Sequence, residues 1–210
     1  MMTTIKNGMM SLFSTISSIV YLNLLWLCFT LLGLVVFGVG PATCALLAAC
    51  QRLITKREST SFKDFANDYR YFFKASSLVQ LLFYGLGSLL LVNYRICLVY
   101  FPDQLVMRAL YLAMAMVLVF VYLLSLFNLV EFPSSSFGTT IKLAVFLLFR
   151  FPGKSLALAL SFFGCLLVLS LKSVLPVLLG ASLPLLIGYA IYHGTVVSAL
   201  EKFPTLVNEG

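Results

Sequence analysis

From Asn7 to Gln51 the chain reads NGMMSLFSTISSIVYLNLLWLCFTLLGLVVFGVGPATCALLAACQ, without one charged side chain. A helix on the surface of a soluble protein sets a charged or polar face against an apolar stripe, and this stretch has no charge to supply one. About 20 apolar residues carry a helix across the hydrocarbon core of a bilayer, so the segment holds one crossing with residues to spare. Outward from it the pattern repeats: Ala75–Tyr94, Ala109–Val130, Ser155–Leu171 and Ser173–Leu200 also lack charge. Apolar residues make up 61% of the 210 and charged ones 10%, where an average globular domain has about 25% charged. Mean hydropathy is +1.06. Backbone groups in lipid must be satisfied within their own segment, which makes these runs helices. A transmembrane barrel would alternate over ten-residue strands instead of running in solid apolar blocks. The sequence therefore predicts an all-α, polytopic membrane protein with one integral domain over residues 1–210. Five spans are expected at about 17–37, 75–92, 109–129, 155–175 and 183–200, with short interfacial helices between them.

The first span runs into Gly38-Val39-Gly40-Pro41, a cluster that cannot continue a straight helix. Pro41 suits the first turn of a new helix, where its missing N–H has no partner to lose. Gly38, Gly40, Pro41 and Thr43 are thus expected to form a structural helix break, the glycines supplying backbone angles that other residues avoid. Beyond it, Cys44/Ala48 and Ala45/Ala49 have the small-xxx-small spacing of closely packed membrane helices. Lys6 before a long apolar run reads as an uncleaved anchor rather than a signal peptide.

Net charge is +7. In a membrane chain the basic excess sets orientation rather than binding nucleic acid, and no nucleic-acid partner is expected. With the N-terminus outside and the C-terminus cytoplasmic, ten of the 14 basic residues lie inside, beginning with Arg52, Lys56, Arg57, Lys63, Arg70 and Lys74. Ser61 followed by Asp64 reads as a capping box. Phe62, Phe65, Tyr69 and Phe72 then recur on one helical face, with Lys63, Asp64, Asn67, Asp68, Arg70 and Lys74 on the rest. That is the pattern of an interfacial helix, serving either as an anchor in membrane lipid or as a docking face for a membrane partner. A second interface element is expected over about 137–151, too short between Lys142 and Arg150 to cross. Phe132-Pro133 and Phe151-Pro152 punctuate the chain on either side of it.

Groups for catalysis are scarce. No GxxxxGK[ST] phosphate loop occurs. The five cysteines form no CxxC pair and behave as small hydrophobes. His193 is the sole histidine, and no carboxylate lies near it in sequence to support a catalytic triad. Neither catalytic residues, metal ligands nor cofactors are predicted. Among polar groups in or beside the spans, Asn23 and Asn128 read as interhelical hydrogen-bond partners. Glu131 and His193 are the two ionisable candidates for a role inside the membrane.

The stretches Asn23-Leu24-Leu25-Trp26, Phe37-Gly38-Val39-Gly40-Pro41-Ala42-Thr43-Cys44-Ala45-Leu46, Ser61-Phe62-Lys63-Asp64-Phe65 and Phe72-Phe73-Lys74 together resemble the YesL family of small bacterial integral membrane proteins. The resemblance is sharpest at the Gly-Pro-Ala-Thr break and the Ser-Phe-Lys-Asp-Phe element; the second half agrees in outline. The resemblance implies the plasma membrane of a Gram-positive bacterium and a setting beside carbohydrate ABC-transporter permeases and sugar-binding proteins. It supplies no catalytic residues. An accessory, non-catalytic subunit of oligosaccharide uptake, docking to a sugar permease, is the expectation; an independent small-solute transporter or channel is the alternative.

Overall fold

The computed structural model of the protein describes residues 2–55, 59–101, 104–150, 153, 157, 158, 160, 161, 164 and 180–202, with side chains from 16 to 194 among them. Six helices and no strand are found among these residues. They are α1 (Met2–Leu32), α2 (Val39–Thr55), α3 (Phe62–Tyr100), α4 (Leu105–Glu131), α5 (Phe137–Arg150) and α6 (Ser182–Lys202).

A short helix rich in small residues sits at the centre. Every residue of α2 from Gly40 to Cys50 is buried, and α2 packs on α1, α3, α4 and α6. Its composition permits this: Ala42, Cys44, Ala45, Ala48 and Ala49 keep its girth small enough for four neighbours to close on it. Leu46 and Leu47, both wholly buried, fill the gaps left between them.

Entry into α2 is a tight reversal. α1 stops at Leu32, five residues short of the expected span end at Phe37, and residues 33–38 form a turn. The glycines act there differently from the expectation. Neither Gly38 nor Gly40 has a positive φ; that conformation falls on Leu34 (57°) and Val35 (59°), a costly one for a β-branched residue. The glycines are needed for space. A Cβ on Gly38 would lie 2.4 Å from the Thr30 carbonyl oxygen, and one on Gly40 would lie 2.5 Å from Gln80 Oε1. Gln80 of α3 clasps the turn from both sides: Oε1 accepts the Gly40 N–H at 2.7 Å, and Nε2 donates to the Val36 carbonyl at 2.6 Å. Thr43 donates to the Val39 carbonyl at 2.6 Å and accepts from Trp26 Nε1 at 3.2 Å, which ties α1 to the first turn of α2.

The separate interface helix expected over Ser61–Lys74 is instead the opening of α3. No Gly or Pro occurs between Ser61 and Gly85, so nothing breaks the helix where charge gives way to apolar sequence. Its 39 residues are about 58 Å long at 1.5 Å each, well beyond the ~30 Å hydrocarbon core. The Ala75–Tyr94 run alone matches that core. α4 returns antiparallel, with Phe83 on Tyr122 (ring centroids 5.5 Å apart) and Tyr94 on Tyr111 (6.3 Å). Past Phe83 on α3 and before Val121 on α4, Cys97 is the one buried residue among those described. Leu89, Leu91 and Val106 are 64%, 64% and 81% exposed. α3 and α4 are both long and apolar enough to cross a membrane. α5 matches the second expected interface element and packs on α4. The expected fifth span lies within α6; the fourth, 155–175, falls almost wholly outside the described residues.

A valine at position 40 must push Gln80 off the turn, whereas a Cβ at Gly85 meets nothing within 4 Å. Overpacking of this kind costs about 1–3 kcal/mol or more. Gly40→Val is expected to accumulate poorly in membranes and lose several degrees of thermal stability. Gly85→Ala should match the unaltered protein in both, and equal behaviour of the two variants would show the clasp to be dispensable.

Candidate functional site

Two groups of polar residues stand out once the helices are placed. The first is the opening of α3. Asp64 accepts the Ser61 N–H at 3.0 Å, the carboxylate half of a capping box, and fixes where the helix starts. The aromatic face then turns inward. Phe65 is wholly buried and Phe72 nearly so, and Phe29 of α1 lies 5.6, 5.2 and 5.1 Å from Phe62, Phe65 and Tyr69 between ring centroids. These rings join α1 to α3 and do not face lipid, although half of Phe62 remains exposed. Lys63, Asp64, Asn67, Arg70, Tyr71 and Lys74 all stay exposed. Between the two faces Asp68 pairs with Arg52 from the last turn of α2. Burial pushes the Asp68 carboxyl above its ordinary range, and the Arg52 guanidinium draws it only part of the way back.

The second group is a ladder across α4, α5 and α6. Asn128, fully buried in α4, donates from Nδ2 to the Thr140 carbonyl of α5 at 3.1 Å, and its Oδ1 accepts from the Tyr192 hydroxyl of α6. One turn further, Glu131 Oε2 accepts from Tyr189 at 2.7 Å, while Oε1 meets His193 Nδ1 at 3.1 Å. Gln51 at the end of α2 also reaches the Tyr189 hydroxyl. The rings stack behind the polar atoms, Tyr192 on Phe127 at 5.0 Å and His193 on Tyr189 at 5.8 Å. Asn23 does comparable work at the far end of α6, where Oδ1 accepts the Ala181 and Ser182 N–H groups at 3.0 and 3.1 Å. It thereby satisfies two of the donors that every helix start leaves open.

The structure thus joins Glu131 with His193 and sets Asn128 one turn away, while Asn23 stands apart at the start of α6. Tyr189 and Tyr192 read as ordinary span residues in the sequence and give no signal of their role. Gln80 could have been found, as a large amide in the middle of an otherwise apolar run, and so could the Arg52–Asp68 pair, since both lie in the charged segment. In the ladder each carboxylate or amide oxygen is matched to a donor already within the protein. No group of three His, Cys, Asp or Glu side chains converges as a metal site would require among the described residues.

The family described as "Protein of unknown function, DUF624" matches residues 19–94. That range covers the second half of α1, all of α2 and most of α3, the unit held by the Gln80 clasp and the Arg52–Asp68 pair. Three proteins of Bacillus subtilis (strain 168) are similar. Uncharacterized protein YesL is 26% identical over 167 residues, covering 79% of this chain and 78% of its own. Uncharacterized protein YteU is 39% identical over 74 residues, 35% of this chain and 33% of its own, and Uncharacterized protein YesV is 33% identical over 96 residues, 45% and 46%. The chain therefore spans a third of YteU and under half of YesV. No solved structure matches it. With the DUF624 match on the α1–α3 unit and the alignment to YesL along most of both sequences, the chain is similar to the YesL-like proteins, whose function is unknown.

Proposed function

We propose that this protein is a multi-pass, non-catalytic accessory protein of a bacterial plasma membrane that docks to the permease of a carbohydrate ABC transporter through the exposed face of the first turns of α3. One observation carries the docking reading: the aromatic side of these turns is used inside the protein. A helix that merely anchors in the interface points its aromatic residues at lipid. Here Phe65 and Tyr69 pack on Phe29 of α1 and Phe72 is buried in the core, and the face left to the outside is Lys63, Asp64, Asn67, Arg70 and Lys74 together with the rings of Phe62, Tyr71 and Phe73. Attraction to anionic headgroups favours bases alone, at about 1 kcal/mol each; acids among them favour a protein surface with complementary charges. The sugar-permease partner rests on the family resemblance, since the curated relatives are themselves uncharacterised. An independent transporter has less support, because the ladder's carboxylate and amide already bond within the protein and no charged path for a solute is left among the described residues.

The topology in this reading is five spans, with the N-terminus outside and the opening of α3 in the cytoplasm. On a cysteine-free background, Lys63→Cys should react with a membrane-impermeant maleimide only after the cells are opened, and Gln104→Cys should react in intact cells. Labelling of position 63 from outside would reverse the orientation.

Docking is tested on the same face. The double change Lys63→Glu with Arg70→Glu should release a permease subunit that co-purifies with the unaltered protein, while leaving the amount of this protein in the membrane unchanged. Like-charge contact across an interface costs several kcal/mol, so the loss should be nearly complete. Retention of the subunit at full yield would leave these turns without a docking role.

A further inference from the structure

Between α1, α2, α4 and the start of α6 lies a cavity of about 380 Å³, lined by Asn23, Trp26, Thr43, Tyr122, Leu126 and Leu185 among others and open on one side. We propose that it holds one hydrocarbon chain of a bilayer lipid. The inference rests on the membrane placement argued above, though not on the docking partner.

Three observations point to a chain rather than a polar solute. Among the described residues, no charged side chain lines the cavity. Three polar side chains in its wall have bonds within the protein: Trp26 Nε1 donates to Thr43, Thr43 donates to the Val39 carbonyl, and Asn23 Oδ1 accepts from Ala181 and Ser182, which leaves the Tyr122 hydroxyl as the one buried side-chain group of the described wall without a partner. A sugar or an ion entering here would give up its water and find few partners in exchange, at a cost of several kcal/mol.

Depth is the second consideration. Tyr122 faces Phe83, which follows Lys74 by nine residues and precedes Arg95 by twelve on one unbroken helix. At 1.5 Å per residue those charges are about 13 and 18 Å away, which puts the cavity near the bilayer centre, where acyl chains are the surrounding medium. Third is size. At about 380 Å³ the cavity is far larger than the ~10–15 Å³ that a single water needs and has room for a run of methylenes.

Trp26 is the single tryptophan of the chain and stands in the cavity wall, so its fluorescence reports occupancy. The protein is purified in detergent micelles and titrated with phosphatidylcholine brominated at mid-chain, since bromine quenches indole on contact. Quenching should saturate near one lipid per protein. Leu126→Trp would confuse the signal, so the cavity is filled with Leu126→Phe or, as an independent variant, Leu185→Phe. Either should weaken the saturable phase at least tenfold, with circular dichroism and elution volume unchanged. Quenching that rises linearly with lipid and is the same in a folded filled variant would overturn the proposal, for it would report ordinary lipid at the protein surface. A bromoalkanol that quenches saturably where the brominated lipid does not would also overturn it, by making the occupant a free amphiphile. Loss of the site while maleimide labelling still reports the five-span topology would refute the chain site alone.

Discussion

The burial of α2 is the constraint on which the other helices depend. A helix surrounded by four others must be narrow, must begin without a bulky first turn, and must have its entry held in place. The alanines and cysteines from Ala42 to Cys50 meet the first condition, Gly40 and Pro41 the second, and Gln80 the third. The two positive φ values at Leu34 and Val35 cost energy that only a surrounding fixed structure can sustain, and Gln80 belongs to α3, the longest helix described. Leu34, Val35, Val36 and Phe37 stay exposed, so burial does not hold this turn; the Gln80 amide does, by bonding the Val36 carbonyl and the Gly40 N–H.

Around that centre the protein divides its chemistry by location. The outer surfaces of α3 and α4 are apolar and exposed, as contact with lipid requires, while buried amides and hydroxyls lie between helices. Between membrane helices apolar contact has little advantage over contact with lipid, so hydrogen bonds and close packing select the partners. Asn128 and Glu131 do this for α4, since each has its acceptor atoms aimed at α6. Removal of either leaves a tyrosine hydroxyl buried without an acceptor.

Much of this was legible in the sequence, for a physical reason. Charge-free runs reflect the solvent and proline punctuation the local backbone, and neither needs a tertiary partner, so the helical class, α4, α5 and α6 could be read directly. The boundary between Lys74 and Ala75 was misread because a change of solvent along a helix resembles a change of element; only a breaker separates the two, and none occurs. The glycines at 38 and 40 were recognised as special, yet for backbone freedom instead of close approach, a distinction that depends on what packs against them. The aromatic face of α3 showed its spacing but not its direction, because Phe29, its partner, lies more than thirty residues earlier. Tyr189 and Tyr192 could be assigned only through their neighbours on other helices, whereas Gln80 was visible as an amide in an apolar run although its partners were not.

Asn23 and the first turn of α6 are 158 residues apart. During synthesis, at about 5–20 residues per second, α1 must wait of the order of ten seconds or more before the N–H groups it caps emerge. Until then Asn23 Oδ1 lacks these two donors, and the seam between α1 and α6 stays open. The seam therefore works as a check on completeness: a chain cut short before residue 181 can never close it, because the donors that join the two helices are not made.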